Sequence, residues 1–302
     1  MIEKLEMFIT LARERHFGHA AEACGVSQPA LSASIKQLEE QLGVLLVLRG
    51  SRYQGLTPEG QRVLEWARRL VGDARTMQQE LKTIRDGLSG HLKMATIPTA
   101  LSYVPALTAP FVAGNPGVTV SVLSRSSAEI LSLLENLEID VGITYLENEP
   151  VGKVMQMPLY RETYCLVTRA DTEQAARKKI SWQDASRLPL CLLTKDMQNR
   201  RILDGILTEI SADVAPTLES DSIVTLFAHV QTGLWSTIMP ESLATTLANE
   251  ALKVIPLVEP VAGALVGLVA PHREPHAPII SALLRQARHL AETNKPDLET
   301  HL

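Results

Sequence analysis

The sequence predicts an α+β protein of several domains: a winged helix-turn-helix at the N-terminus, one long linking helix, and a C-terminal α/β region of two lobes. Three observations carry this. Residues 17–57 read as two helices, a tight turn and a third helix, followed by a short basic hairpin. Residues 63–88 hold an unbroken heptad of apolar positions. From residue 91 onward, strand-like and helix-like runs alternate. A chain of 302 residues has room for two or three domains, and 45% hydrophobic content is ordinary for a globular protein with a sizeable core.

The first predicted helix covers residues 3–14, where Leu5, Phe8, Ile9 and Ala12 fall at i, i+3, i+4 and i+7 and make one packing face. Ala20, Ala21, Ala23 and Cys24 form a second short helix that packs closely, and Gly25 breaks it as a turn residue. Ser27 is suited to cap the third helix, with Pro29 in its first turn, where a missing N–H costs nothing. Leu31, Ile35, Leu38 and Leu42 then recur at helical spacing and face inward. The opposite face, begun by Ser27, carries Gln28, Pro29, Ser32, Ala33 and Lys36. It is small and polar, the kind of face that a helix-turn-helix lays in the major groove. Gly43 stops this helix, and residues 49–55 read as a wing with Arg49 and Arg52 at its tip. Their guanidinium groups suit phosphates or a narrow minor groove.

Taken together, Ala20-Ala21, Ser27-Gln28-Pro29-Ala30-Leu31-Ser32, Ile35, Leu38-Glu39, Leu42-Gly43, Leu46, Arg49, Leu56-Thr57 and Gly60 resemble, in order and spacing, the LysR-type transcriptional regulators. Two positions depart from that pattern: Ala33, where the family often has Arg, and Val47, where it often has Phe. The resemblance implies a ligand-responsive, sequence-specific DNA-binding regulator that is commonly tetrameric, with RNA polymerase as a further partner. It also implies an effector domain of periplasmic-binding-protein architecture with its inducer cleft between two lobes.

Charge alone does not point to nucleic acid. The net charge is −5; residues 1–57 are neutral, 58–88 carry +1 and 89–302 carry −6. A neutral head must contact DNA through the placement of Lys36, Arg49 and Arg52 rather than through bulk charge. No signal-peptide layout and no membrane-length apolar run is present, and Cys24, Cys165 and Cys191 are far apart. The expectation is a cytoplasmic protein with reduced, buried thiols.

Thr57-Pro58 opens the long helix with a cap and a first-turn proline. Val63, Ala67, Leu70, Ala74, Met77, Leu81, Ile84 and Leu88 follow at alternating spacings of four and three, a coiled-coil seam that pairs two chains. Leu88-Ser89-Gly90 reads as a hinge-like linker. Beyond it come a strand at 91–97, a helix with Val104, Leu107 and Phe111, a strand at 118–123, a helix at 126–137 and a strand at 140–144. This βαβαβ order implies a mostly parallel, doubly wound sheet. Tyr164–Thr168 reads as a crossover strand and Leu188–Thr194 as the start of a second such unit. A returning strand at 264–270, a terminal helix at 278–293 and a frayed tail from Asn294 complete the chain. The expected domains are 1–57 for the head, 58–88 for the dimerising helix, and 89–302 for effector binding. Lobe I covers about 91–162 and 266–293, and lobe II about 163–265.

In open α/β sheets, ligands sit beyond the carboxyl ends of strands, at helix N-termini that favour anions. Turns at 98–102, 124–127 and 194–196 meet that description. They make Thr99, Ala100, Ser102, Ser126, Ser127 and Thr194 candidates for holding a small anionic effector, joined by Thr144 at a strand end and by Arg200 as a charge partner. Singly, Thr99, Ser126 and Thr194 are as readily explained as helix caps, and Arg200 as a solvated side chain. No histidine pair has metal-ligand spacing, and no nucleophile elbow or phosphate loop occurs, so neither a cofactor nor a catalytic role is expected. Two other classes remain open: a solute-binding protein with an added helical domain, and an α/β enzyme with an accessory domain.

Overall fold

The structure, a computed structural model, describes residues 1–48, 53–212 and 214–293. The tail from Asn294 and the wing tip with Arg49 and Arg52 lie outside the described residues.

The head packs three helices, α1 (Ile2–Glu14), α2 (Phe17–Ala23) and α3 (Gln28–Leu42), against the first turns of α4 (Pro58–Asp86). Its core gathers Phe8, Leu11, Ala20, Leu31, Ile35, Leu38, Leu46, Leu64, Ala67 and Val71. The expected cap holds: Ser27 Oγ accepts from Ala30 N at 3.4 Å. Gly43 ends α3 at φ 71°, a conformation that glycine adopts without strain. Leu42, expected inward, is 39% exposed at the last position of α3. The base of the wing is an antiparallel bridge between Val47 and Leu56. The Glu39 carboxylate secures it to α3 by accepting from Leu46 N at 2.8 Å and Val47 N at 3.2 Å.

Thr57 Oγ1 caps α4, accepting from Gly60 N at 2.8 Å and donating to Leu45 O at 2.6 Å. The predicted seam divides in two. Leu70, Met77, Leu81 and Ile84 are exposed apolar residues, unpartnered within one chain. Ala67 is fully buried and Val63 partly buried in the head's own core, so within one chain these two positions face the head. The heptad pattern does not distinguish which stripe faces α1 and which a second helix. Ala74 is half-buried. The predicted linker is shorter than expected: Ser89 and Gly90 already pair with Gly117 and Val118 in the first strand.

Lobe I is built from β1 (Ser89–Thr96), α5 (Val104–Gly114), β2 (Gly117–Ser124), α6 (Ser127–Glu135) and β3 (Val141–Tyr145). The strand β4 (Val154–Arg169) then runs 16 residues from lobe I into lobe II. Lobe II holds β5 (Ile180–Ser181), α7 (Trp182–Ala185), β6 (Cys191–Leu193), α8 (Gln198–Glu209), β7 (Leu218–Ser220) and α9 (Ile223–Gln231). It is completed by β8 (Thr237–Pro240), α10 (Glu241–Leu247) and β9 (Leu252–Val258). The strand β10 (Gly263–Pro271) returns to lobe I, and α11 (Pro278–Thr293) covers its sheet.

The lobe I sheet is mixed rather than mostly parallel. Strands β2, β1 and β3 are parallel, but β10 lies antiparallel to both β3 and β4. The reason is the crossover: a strand that returns from the other lobe enters the sheet in the opposite sense. The far half of β4 pairs with β8 and β9, so one continuous strand belongs to both lobes.

Candidate functional site

Two places bring chemistry-bearing residues together. The first is the outer face of α3. Ser27, Gln28, Pro29, Ser32, Ala33 and Lys36 are all exposed there, while Leu31, Ile35 and Leu38 anchor the opposite face. Among the described residues Lys36 pairs with Glu40 alone, at 3.8 Å with both largely exposed, and such a pair is weak enough to yield to a phosphate.

The second is the cleft between the lobes. A small cavity there is lined by Ile97, Pro98, Thr99, Ser126, Ser127 and Tyr145 from lobe I, and by Leu193, Met197, Gln198 and Asn199 from lobe II. Its volume is about 10 Å³, space for roughly one water. The lobes are drawn together over it: Asn199 Nδ2 donates to Tyr145 Oη at 3.0 Å, and Gln198 Nε2 donates to the Glu147 carbonyl at 3.2 Å. The Arg201–Glu149 ion pair, at 2.6 Å, lies on the same side.

Behind the cavity is a buried polar network. Tyr145 Oη donates to Glu162 Oε2 at 2.8 Å and is bonded to Thr99 Oγ1 at 2.9 Å. Tyr160 Oη approaches Glu162 Oε1 at 3.4 Å, and Tyr160 stacks on Tyr103 with ring centroids 4.6 Å apart. Glu162 is 2% exposed. Burial pushes its carboxyl up to about 8, against the two phenolic hydrogen bonds that favour the charged form. No cation bonds it among the described residues. At neutral pH this carboxyl is therefore mostly protonated.

The predicted effector residues fare differently. Thr99, Ser126 and Ser127 line the cavity. Ser126 Oγ accepts from Glu129 N at 3.4 Å in a reciprocal capping box, so its hydroxyl is already engaged by α6. Ser127 is 5% exposed, and its hydroxyl has no hydrogen-bond partner among the described residues. Ser102, Thr144 and Thr194 also carry unpartnered buried hydroxyls but do not line the cavity. Ala100 is fully buried in the lobe I core. Arg200 is a correction. It is 2% exposed and turned into lobe II, where it bonds Asp204 at 2.8 Å, Glu219 at 2.5 Å and the Leu193 carbonyl at 2.8 Å. Two carboxylates from its own lobe account for that placement, and they hold the Arg200 charge within lobe II.

Sequence reasoning missed Tyr145, Glu162, Gln198 and Asn199. One signal was present: Glu162 and Arg161 interrupt an otherwise apolar run, a pattern that marks a polar demand inside a sheet. The described residues contain no cluster fit to hold a metal ion, and no helix among them is long and apolar enough to cross a membrane.

Comparison with known proteins is consistent along the whole chain. Residues 2–61 match the profile described as bacterial regulatory helix-turn-helix protein, lysR family, and residues 85–292 match that of the LysR substrate binding domain. The DNA-binding transcriptional dual regulator OxyR of Escherichia coli is 27% identical over 274 residues, covering 89% of this chain and 88% of that protein. A hydrogen peroxide-inducible genes activator of Dickeya chrysanthemi is 28% identical over 240 residues, covering 79% and 78%. Among solved structures, a full-length OxyR variant from Pseudomonas aeruginosa superposes with a TM-score of 0.75 at 27% identity, covering 95% of this chain and 94% of that one. CbnR in complex with its target DNA, at 21% identity and a TM-score of 0.62, shares the fold over 96% and 99% of the two chains.

Proposed function

The chain belongs to the LysR family of DNA-binding transcriptional regulators, and on that premise we propose that its interlobe cleft binds a small anionic ligand that sets how paired heads meet DNA. The observation that carries this is the buried, unpartnered Ser127 hydroxyl at the cavity wall. It stands in the first turn of α6, facing the first turn of α8 across the cleft. The N-cap of α8 is Met197, which offers no side-chain cap; Arg200 N bonds the Met197 carbonyl at 3.1 Å, and among the described residues the Gln198 and Asn199 N–H groups have no bond and are left for a ligand. A protonated Glu162 places no negative charge of its own behind the cavity to repel an anion. The cavity at Ser127 holds about one water, so a ligand there favours a state with the lobes further apart at this point, to the extent of its affinity difference between states.

On the DNA side, α3 enters the major groove with Gln28 and Ser32 toward base edges and Lys36 toward the backbone, and Leu70, Met77, Leu81 and Ile84 pair two chains. The peroxide response named for the relatives needs an accessible thiolate. Here Cys165 and Cys191 are fully buried, with sulfurs turned to the Met239 and Leu226 carbonyls at 3.4 and 3.8 Å. Burial pushes the Cys191 thiol up to about 11 and that of Cys165 higher still. These two thiols disfavour peroxide as a signal read through either of them; Cys24, expected buried, is partly exposed in the head.

The test is thermal melting of the full chain against a panel of small carboxylates and inorganic phosphate, in wild type and in Ser127→Val. The expected result is one chemical class that raises Tm in the wild type and loses most of that effect in the variant. No stabilisation by any anion, or equal stabilisation of both proteins, would overturn the reading.

A further inference from the structure

The helix α6 touches two places at once. Its first turn lines the interlobe cavity through Ser126 and Ser127. Its last turn meets the DNA-binding head of the same chain, about 13 Å further along at 1.5 Å per residue. Arg68 of α4 pairs there with Glu135 and donates to Asn136 Oδ1 at 2.8 Å. Arg75 of α4 donates to the Leu137 carbonyl at 3.2 Å while bonding Glu6 of α1 at 2.9 Å. Arg13 of α1 lies 3.3 Å from Glu138. From the far side of lobe I, Arg273 donates to the Arg68 carbonyl at 3.1 Å. Its guanidinium fills the notch above Gly72, where a Cβ would lie 1.6 Å from it.

Leu137 is the most telling contact. It occupies the left-handed position after the helix, at φ 60°, with Leu137 N bonded to the Leu134 carbonyl and Glu138 N to the Leu133 carbonyl. That is a Schellman ending, in which glycine is the unstrained choice. A leucine in this conformation is strained, and its side chain packs against the head's core. The strain is retained where the side chain makes the contact.

We infer that α6 is a rigid coupling between the cleft and the DNA-binding head, docked by its C-terminal turn into the groove between α1 and α4. The docking rests on the contacts above. Its use as a signal path rests on the ligand-cleft reading. Arg68, Gly72 and Arg75 lie on the opposite side of α4 from Leu70, Met77, Leu81 and Ile84 at 3.6 residues per turn, so docking within a chain and pairing between chains coexist. A ligand that shifts the first turn of α6 then shifts the seat of the head without unfolding either unit.

The test is amide exchange of the full chain without ligand, so that it stands apart from the identity of any effector. Leu137→Gly keeps the cap and removes the docked side chain. Glu135→Arg reverses one ion pair, and Arg68→Glu added to it restores the pairing. Exchange in residues 2–14 is expected to rise about two- to fivefold in each single variant and to return toward wild type in the charge swap. Tyr145→Phe, which cuts the cross-cleft bond, is expected to raise exchange in 2–14 as well. Unchanged exchange there in both Leu137→Gly and Glu135→Arg would overturn the docking. A response to those two with none to Tyr145→Phe, while exchange in residues 198–202 does change, would overturn the coupling.

Discussion

Replacing Glu162 by Gln isolates the proton held behind the cleft. Its carboxyl moves from 4.5 in the unfolded chain to about 8 in the fold. A raised acid makes the native state bind more protons than the unfolded state between those two values. Stability therefore falls as pH rises through that window, by about 1.4 kcal/mol per pH unit, and levels off above about pH 8. The full displacement corresponds to about 5 kcal/mol, an upper figure, since the network relaxes when the charge appears. Glutamine copies the protonated carboxyl in shape and cannot ionise. Urea denaturation of both proteins at intervals from pH 5 to pH 9 is the assay. The wild type should lose stability relative to Glu162→Gln as pH rises, and the variant should be within about 1–2 kcal/mol of wild type at pH 5. A difference between the two proteins that does not vary with pH would show that Glu162 is ionised in the fold and that the argument from burial is wrong.

Other outcomes follow from the same contacts. Leu70→Lys with Leu81→Lys places charges on an exposed apolar stripe, and sedimentation should show loss of pairing with the melting of the lobes unchanged; an unchanged oligomer would remove the seam. Thr99→Val removes a hydroxyl bonded to Tyr145. It should cost about 1 kcal/mol of stability and weaken any anion-induced rise in Tm, and retention of the full ligand effect would exclude Thr99 from the site. Millimolar peroxide should leave Cys165 and Cys191 unmodified by mass spectrometry in the folded protein, because burial keeps both protonated; rapid sulfenylation of either would restore a thiol-based signal.

The head was legible because its signals are local. The Ser27 cap, Gly43 and the apolar positions of α3 each act within a few residues. The long helix was legible in its existence but not in its orientation, since a heptad marks an apolar stripe without naming its partner; Ala67 went to the head's core and Leu70 to the surface. The cleft was the least legible part. Tyr145, Glu162 and Asn199 come from β3, β4 and α8, and only the crossover of β4 and β10 brings them together. The near half of β4 escaped notice because Pro158, Arg161 and Glu162 break its apolar pattern. Arg200 was misplaced for a related reason: burying an arginine takes carboxylates from two elements, Asp204 on α8 and Glu219 on β7, and their convergence is a tertiary fact.

The central claim is that α3 reads DNA sequence as a member of a pair. Selection of bound sequences from a random duplex library, with wild type and with Gln28→Ala, tests it most directly. The wild type should enrich two related half-sites, about one helical turn or a multiple apart. Gln28→Ala should relax preference at one position of each half-site, at a cost of about 1–3 kcal/mol. A library from which the wild type enriches no sequence, or from which Gln28→Ala enriches the same sequence equally well, would contradict the account.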